Sequence, residues 1–532
     1  MECKYTCDDV KQLTNQNGRS ENLIYLSIIF LTAFLYFYKA TAAYFVADDF
    51  FYIVNRNNPD LYSPFTHFFY QPITFLFYYI NYLWAGKIPY GYHLFSITLN
   101  AINLCLAYYF VTIITGRKLY GFFCAIFGAV YYFSADNMIW INCTNNIICS
   151  FFYFLTLIFS CKYNISGRKI HYILTLIFLN LTLYAREMGV SVFIMLFITD
   201  IMFYYSPLVK EDRKKIYYKY SFIFLFSFIY LVVMSAGPTL RFGRFTFNRG
   251  GYKIDGDIKD FIININWFFF RLFIPFSFGS HAKSFFIHSI IQFIRFNNVI
   301  LILIIVLLFF IRNRLFYFGV LWVFISSAPY LQLNKYFVHT GDRYFYQPRF
   351  CFVLIVLGLW VFLKNKIDGT IIPKIFKISF LIIFILYSAA SWIAVQKRIQ
   401  WWISAGESSR IFLSAFQSQF HNVEDNRLFV IRNIPRWADS APNKLIVLIT
   451  GAAHALRLFY EKDNIDVIPY WDNDFETDMA NVMKNTKNDY KIIFLDYSGG
   501  KFSDWRPPDD FIECIKKNNP ELYDFNFGVL NK

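Results

Sequence analysis

Several stretches of roughly 18 or more mostly apolar residues recur along the chain, and eleven spanning segments are counted in all. A bilayer core offers no water to the backbone, so each crossing segment must close its own hydrogen bonds and reads as a helix. The segments begin near Asn22, His93, Leu119, Ile147, His171, Met188, Ile216, Asn297, Leu315, Tyr344 and Phe376. The fold class expected is an α-helical polytopic membrane protein with a small C-terminal α/β domain. Composition agrees, since 57% of the residues are hydrophobic and 22% aromatic, against about 45–50% apolar in ordinary soluble domains.

The net charge of +15 does not point to nucleic acid. The bias to Phe, Ile, Tyr, Lys and Asn resembles an AT-rich coding sequence, and the basic residues fall where membrane topology wants them. The turns at Arg117–Lys118, Lys162–Lys169, Lys210–Lys219, Arg312–Arg314 and Lys364–Lys377 are all basic and share one side, the expected cytoplasmic face. Residues 1–21 join them as a cytoplasmic tail, and the first apolar run reads as an uncleaved anchor. The opposite side receives the Asp48 loop and the turns Ser134–Asn145, Ala185–Glu187 and Leu333–Arg349.

Two apolar segments do not fit as crossings. Phe68–Ala85 is broken by Pro72, which leaves a helix of about 13 residues, roughly 20 Å long. Asp260–Phe296 carries Arg271 and Pro275, and crossing once there would turn Arg312 and Arg314 outward. Outer interfacial helices are therefore expected within 50–92 and 237–296, inside a membrane domain of residues 22–397. The loop Gly237–Asp260 brings Arg241, Arg244, Arg249 and Lys253 to that outer face. They read equally as a solvated loop or as attraction for an anionic head group.

Residues 398–532 change character. An amphipathic helix after Gln396 leads to expected strands at Leu428–Ile434, Leu445–Thr450, Asp466–Trp471 and Lys491–Tyr497, with helices at Ala453–Tyr460, Thr477–Lys484 and Asp509–Asn518. Eleven crossings from a cytoplasmic start put this domain outside the membrane. Gly451, in ITGAAHALRLF, lacks the glycine spacing of a phosphate cradle and reads as a turn residue. The nine cysteines show no zinc-ligand spacing.

The ionisable residues near helix ends supply the candidate chemistry. Asp48, Asp49, His93, Asp136, Arg186, Glu187, His339, Asp342 and Arg343 all fall on the outer side of a topology derived from other residues. Carboxylates and arginines gathered at one interface suit chemistry on a phosphate-bearing lipid. A transporter would place such groups at mid-membrane. Each has a plainer reading. The aspartate pair marks a helix end, Arg186 and Glu187 pair with each other, and Arg343 anchors the interface. His93 and His339 bond backbone carbonyls, Asp136 caps its turn, and Arg241 is solvated.

YQPITFLFYYINYLWAGKIPYGYHLFSITLNAINLCLAYYF, Tyr70–Phe110, resembles the "YRPL…N…G…P.GYHL.N…H..N" stretch of membrane-embedded C-type glycosyltransferases. The closest likeness is to the transmembrane O-mannosyltransferases with tetratricopeptide repeats and their bacterial relatives. Three further segments follow in the family's order. ADNMIWIN (Ala135–Asn142) resembles "HPVHVEAVAWI", with Asp136 at the family's glutamate. YAREMGVSVFIMLFITD (Tyr184–Asp200) resembles "SKE…P…D", with Arg186 at its lysine. GDRYFYQPRFCFVLIVLGL (Gly341–Leu359) resembles "DRYLYLPS.GF.LL". The tetratricopeptide repeats and the histidine before Asp136 are missing here.

The resemblance implies an enzyme that moves a sugar from a polyprenyl-phosphate carrier to a protein or glycan acceptor on the outer face, by inverting displacement. It implies Asp48 or Asp49 as base, and Arg343, Arg186 and, more weakly, Arg241 on the donor phosphate. His93, Asp136, Glu187 and His339 would support the substrate. The second of the aspartates would orient the acceptor or hold a divalent cation; no cofactor is otherwise implied. The bilayer is the expected partner, nucleic acid is not, and a bacterial inner membrane is the expected location. The competing classes are a lipid or solute transporter and a membrane scaffold with an outer binding domain.

Overall fold

In a computed structural model, the described residues are 16–63, 70–206, 209–242, 258–273, 298–331, 342–366, 372–435, 437–438, 445–448, 451–470, 491–506, 509, 513 and 525–526. The chain is mostly helical. Helix α1 covers Gln16–Phe37, and a short loop leads to α2, Asp49–Val54. Then come α3, Pro72–Ala85, α4, Pro89–Thr115, and α5, Lys118–Val130. Helix α6 is Ala135–Ile139, α7 is Thr144–Ser166, α8 is Lys169–Ala185 and α9 is Ser191–Phe203. The bundle continues with α10, Lys210–Phe242, α11, Ile258–Phe273, α12, Val299–Phe310, α13, Arg314–Leu331, and α14, Cys351–Lys366.

Each of the eleven expected crossings coincides with a helix. Among the described residues, seven helices are long and apolar enough to span a bilayer. An eighth is added if Lys118–Val130 and Tyr132–Ile139, bent by 65° at their junction, form one broken span. The difference lies in length. Helices α8, α9 and α12 have 17, 13 and 12 residues, and at 1.5 Å per residue the last covers only about 18 Å. Apolar side chains such as Phe224, Phe228, Ile302, Phe309, Ile382 and Ile385 are exposed, as lipid-facing residues of a bundle are.

Helix α7 is the centre of the bundle, packed against α8 and α4, while α4 packs on α5 and α13 on α14. Its first residues, Thr144–Ser150, are all buried. Two contacts tie this segment to α4: Ser96 Oγ meets Thr144 Oγ1 at 2.7 Å, and Asn103 Nδ2 donates to the Ile147 carbonyl at 2.8 Å. Arg349, expected in an outer turn, is instead fully buried and donates to Asn100 Oδ1 at 2.8 Å. Where α9 runs out, Asp200 and Lys219 form an ion pair at 2.6 Å, each side chain 1% exposed. Ser160, Asn164 and Tyr220 complete its hydrogen bonds, as buried charges require.

Beyond the bundle, α15 runs unbroken from Ile372 to Gln419, about 72 Å at helical rise. The expected separate amphipathic helix is the last part of this one. The C-terminal region runs through β1, Arg427–Arg432, a separate two-stranded ladder of β2, Trp437–Ala438, and β3, Leu445–Ile446, helix α16, Ala452–Tyr460, and β4, Ile465–Tyr470. It ends with β5, Lys491–Ser498, β6, Lys501–Asp504, and β7, Phe525–Asn526. Strand order is β4-β1-β5-β6, with β7 also on β5. β1 is parallel to β4 and β5, whereas β6 returns antiparallel to β5. That hairpin was not expected, although Gly499 and Gly500, both at positive φ, are the usual occupants of its two-residue turn. The helices expected at Thr477–Lys484 and Asp509–Asn518 lie outside the described residues, apart from isolated positions.

Candidate functional site

The site is built on the loop between α1 and α2. Asp49 is 1% exposed, and both its oxygens are occupied. Oδ2 accepts from the Val46 N–H at 3.0 Å and Oδ1 from the Asn142 N–H at 2.9 Å. It therefore ties its own loop to the 134–146 segment. Burial pushes its carboxyl up to about 8, against the pull of the two backbone N–H groups. Asp48 is half-buried. It precedes α2 without a side-chain capping bond, and its Oδ2 is approached by Asn142 Nδ2 at 3.4 Å. The two adjacent aspartates thus differ: one is internal and protonated at neutral pH, the other reaches the open side.

The supporting residues converge on the same loop and segment. His93 is fully buried, and its Nε2 bonds the Ala43 carbonyl at 3.1 Å, so it holds the start of the carboxylate loop. Asn142, Asn137, Asn145 and Asn146 form a row of amides. Arg186 donates through Nη1 to the side-chain oxygens of Asn145 and Asn146. Asn137 and Asn146 donate to the Arg343 carbonyl at 3.3 and 3.4 Å. The Arg343 guanidinium lies 5.2 Å over the Trp140 ring and 5.0 Å over the Tyr344 ring. Glu187 stands 4.0 Å from Arg186 and accepts from Gln71 Nε2 at 3.0 and 3.1 Å.

Two groups that the sequence reading did not single out mark where the charges meet. The Tyr52 phenol, raised first by burial, also feels Asp48, Arg186 and Glu187. Its ring stacks on Tyr78 with centroids 5.0 Å apart. The Cys143 thiol lies within electrostatic reach of Arg343, Arg186, Asp136 and Asp49. A tyrosine three residues after an acidic pair carries no distinctive signal, which is why Tyr52 was not found by pattern.

Asp136 is occupied otherwise. Arg398, from α15, grips it at 2.8 and 2.9 Å, and Trp402 Nε1 donates at 2.9 Å. Arg241 lies in the last turn of α10, and its side chain is outside the described residues, as is all of His339. Among the described residues no group of three or more His, Cys, Asp or Glu side chains is placed to hold a metal ion.

The Asp49 proton has a consequence for stability. An unfolded aspartate titrates near 3.9, while the folded one titrates at about 8. Between those values the folded state holds a proton that the unfolded state has released, so stability falls as pH rises and levels off above about 8. Melting temperature in detergent, followed from pH 4 to 9, is expected to show this decline, and Asp49→Asn should remove its part of the slope.

No protein-family model matches the chain, and no curated protein is significantly similar to it.

Proposed function

We propose that the protein is a polyprenyl-phosphate-sugar-dependent glycosyltransferase acting at the outer face of its membrane. The single observation that carries this reading is the convergence of Asp48 and Arg186 on one row of amides, Asn142, Asn145 and Asn146, with Arg343 beside Trp140 on the same segment. A carboxylate and two guanidinium groups at the end of an apolar bundle suit a lipid carrier whose head group is an anion.

Asp48 is the base. Asp49 is protonated at neutral pH, and both its oxygens are engaged. A general base must be ionised at the working pH and within hydrogen-bond reach of the proton it takes. Asp48 takes the proton of the acceptor hydroxyl as that oxygen bonds to the anomeric carbon from the face opposite the phosphate. The bond from the anomeric carbon to the phosphate oxygen breaks, and the polyprenyl phosphate leaves with the electron pair. Inversion follows from that geometry. Arg186 and Arg343 stabilise the charge that grows on the leaving phosphate.

Membrane vesicles given a polyprenyl phosphate carrying a labelled hexose, together with cell-envelope acceptors, are expected to move label onto a hydroxyl of a protein or glycan. Uptake of intact substrate without a covalent product would identify a transporter instead. Arg186→Ala should lower kcat by about 10²–10³-fold, the usual cost of a lost oxyanion donor. Arg186→Lys should recover only part of this, since a lysine cannot keep both Asn145 and Asn146 in the guanidinium geometry.

A further inference from the structure

The carboxylate loop turns sharply at its acidic pair, where the Asp49 N–H donates to the Val46 carbonyl at 3.0 Å. Ala47, immediately before the acidic pair, adopts φ +44, a left-handed conformation unfavourable for any residue with a Cβ. Such a conformation persists only where the surroundings impose it. Two parts of the C-terminal region do so. The Ala47 N–H donates to the Val447 carbonyl, just after β3, at 2.7 Å. Gly451, at the start of α16, lies so close that a Cβ there would fall on the Ala47 carbonyl oxygen and 2.8 Å from its carbon. On the other side, a Cβ at Gly406 of α15 would lie 2.6 Å from the Tyr44 nitrogen. The His454 ring of α16 meets Phe51 of α2 edge-on at 5.0 Å, and Lys87 pairs with Glu461 at 2.7 Å.

We propose that the C-terminal α/β domain is a positioning element of the site: docked through Val447 and Gly451, it holds Ala47 left-handed and so directs the Asp48 carboxylate. Gly451 ends a turn, its N–H on the Leu448 carbonyl at 3.2 Å, but with an ordinary φ of −109 it is the close approach that calls for glycine. The domain would therefore control transfer without touching substrate. This rests on the reading of Asp48 as the base, but the docking itself is tested separately.

The full-length chain is used in membranes, with Asp48→Cys as a reporter whose maleimide labelling rate reads the position of that side chain and needs no activity. Gly451→Ala and Gly451→Val in this background are expected to change the labelling rate at least fivefold. With Asp48 intact, the same substitutions should lower kcat at least 30-fold and move donor KM less than threefold. Ala47→Gly alone should leave both near wild type, since glycine adopts positive φ without help. Combined with Gly451→Ala it should recover a substantial part of the lost kcat, which a general loss of fold would not permit. Unchanged labelling in both Gly451 variants, or no recovery by Ala47→Gly, overturns the proposal. If wild-type membranes transfer no sugar while Gly451→Val still alters labelling, the docking stands and the transferase reading fails.

Discussion

Asp48→Asn is expected to lower sugar transfer by about 10²–10⁴-fold, the range that general-base catalysis contributes, with donor affinity little changed. The amide keeps the size of the side chain and the contact with Asn142, but it cannot take a proton. Its neighbour should behave differently. Asp49→Asn removes one of two acceptors for buried backbone N–H groups, at a cost of about 1–3 kcal/mol for the donor left unsatisfied. The expected signature of Asp49→Asn is a lower melting temperature and a looser site, with kcat depressed far less than in Asp48→Asn. Transfer rates and melting curves measured on the two variants side by side separate the roles. Full activity in Asp48→Asn would remove the catalytic assignment altogether.

The second large effect concerns Asp136 and Arg398. Their two-point ion pair is buried, with side chains 9% and 7% exposed, and it joins the short helix α6 to the long helix α15 that leads to the C-terminal α/β domain. Removing one partner strands a charge in an apolar setting, which typically costs about 3–5 kcal/mol. Arg398→Met alone and Asp136→Asn alone are therefore each expected to lower the melting temperature sharply. The double variant Asp136→Asn, Arg398→Met should regain much of the loss, because no uncompensated charge remains. Additive losses in the double variant would show that the pair is not coupled. Trp402 also donates to Asp136, so the asparagine must keep its oxygen toward the indole for the recovery to be complete.

Much of this arrangement was legible from the chain alone. Length and continuity of apolar runs decide that a segment is helical in a bilayer, and each expected crossing coincides with a helix. The α/β character of the tail followed from alternating short elements, and β1, β4, β5 and α16 lie within a residue or two of their expected bounds. Asp48, Asp49, His93, Arg186, Glu187 and Arg343, expected together as charges near helix ends, are joined through the 134–146 segment and the loop before α2. These properties depend on local composition, which a linear string carries in full.

Side-chain roles did not follow in that way. Asp48 and Asp49 are identical in type and adjacent, so no pattern separates them; burial and two backbone N–H groups do. Asp136 pairs with Arg398, 262 positions later in the chain, which no local pattern names. Gly451 is the turn residue expected, but that its missing Cβ also makes room for a carbonyl from residue 47 could not be read. In each case the deciding partner is remote in sequence. The helical segments and the types of charged residue near the aspartate loop were determined by the sequence by itself. Which carboxylate is buried, which is paired and what presses on the loop were decided only by tertiary structure, because desolvation and close contact are properties of neighbours that meet after folding.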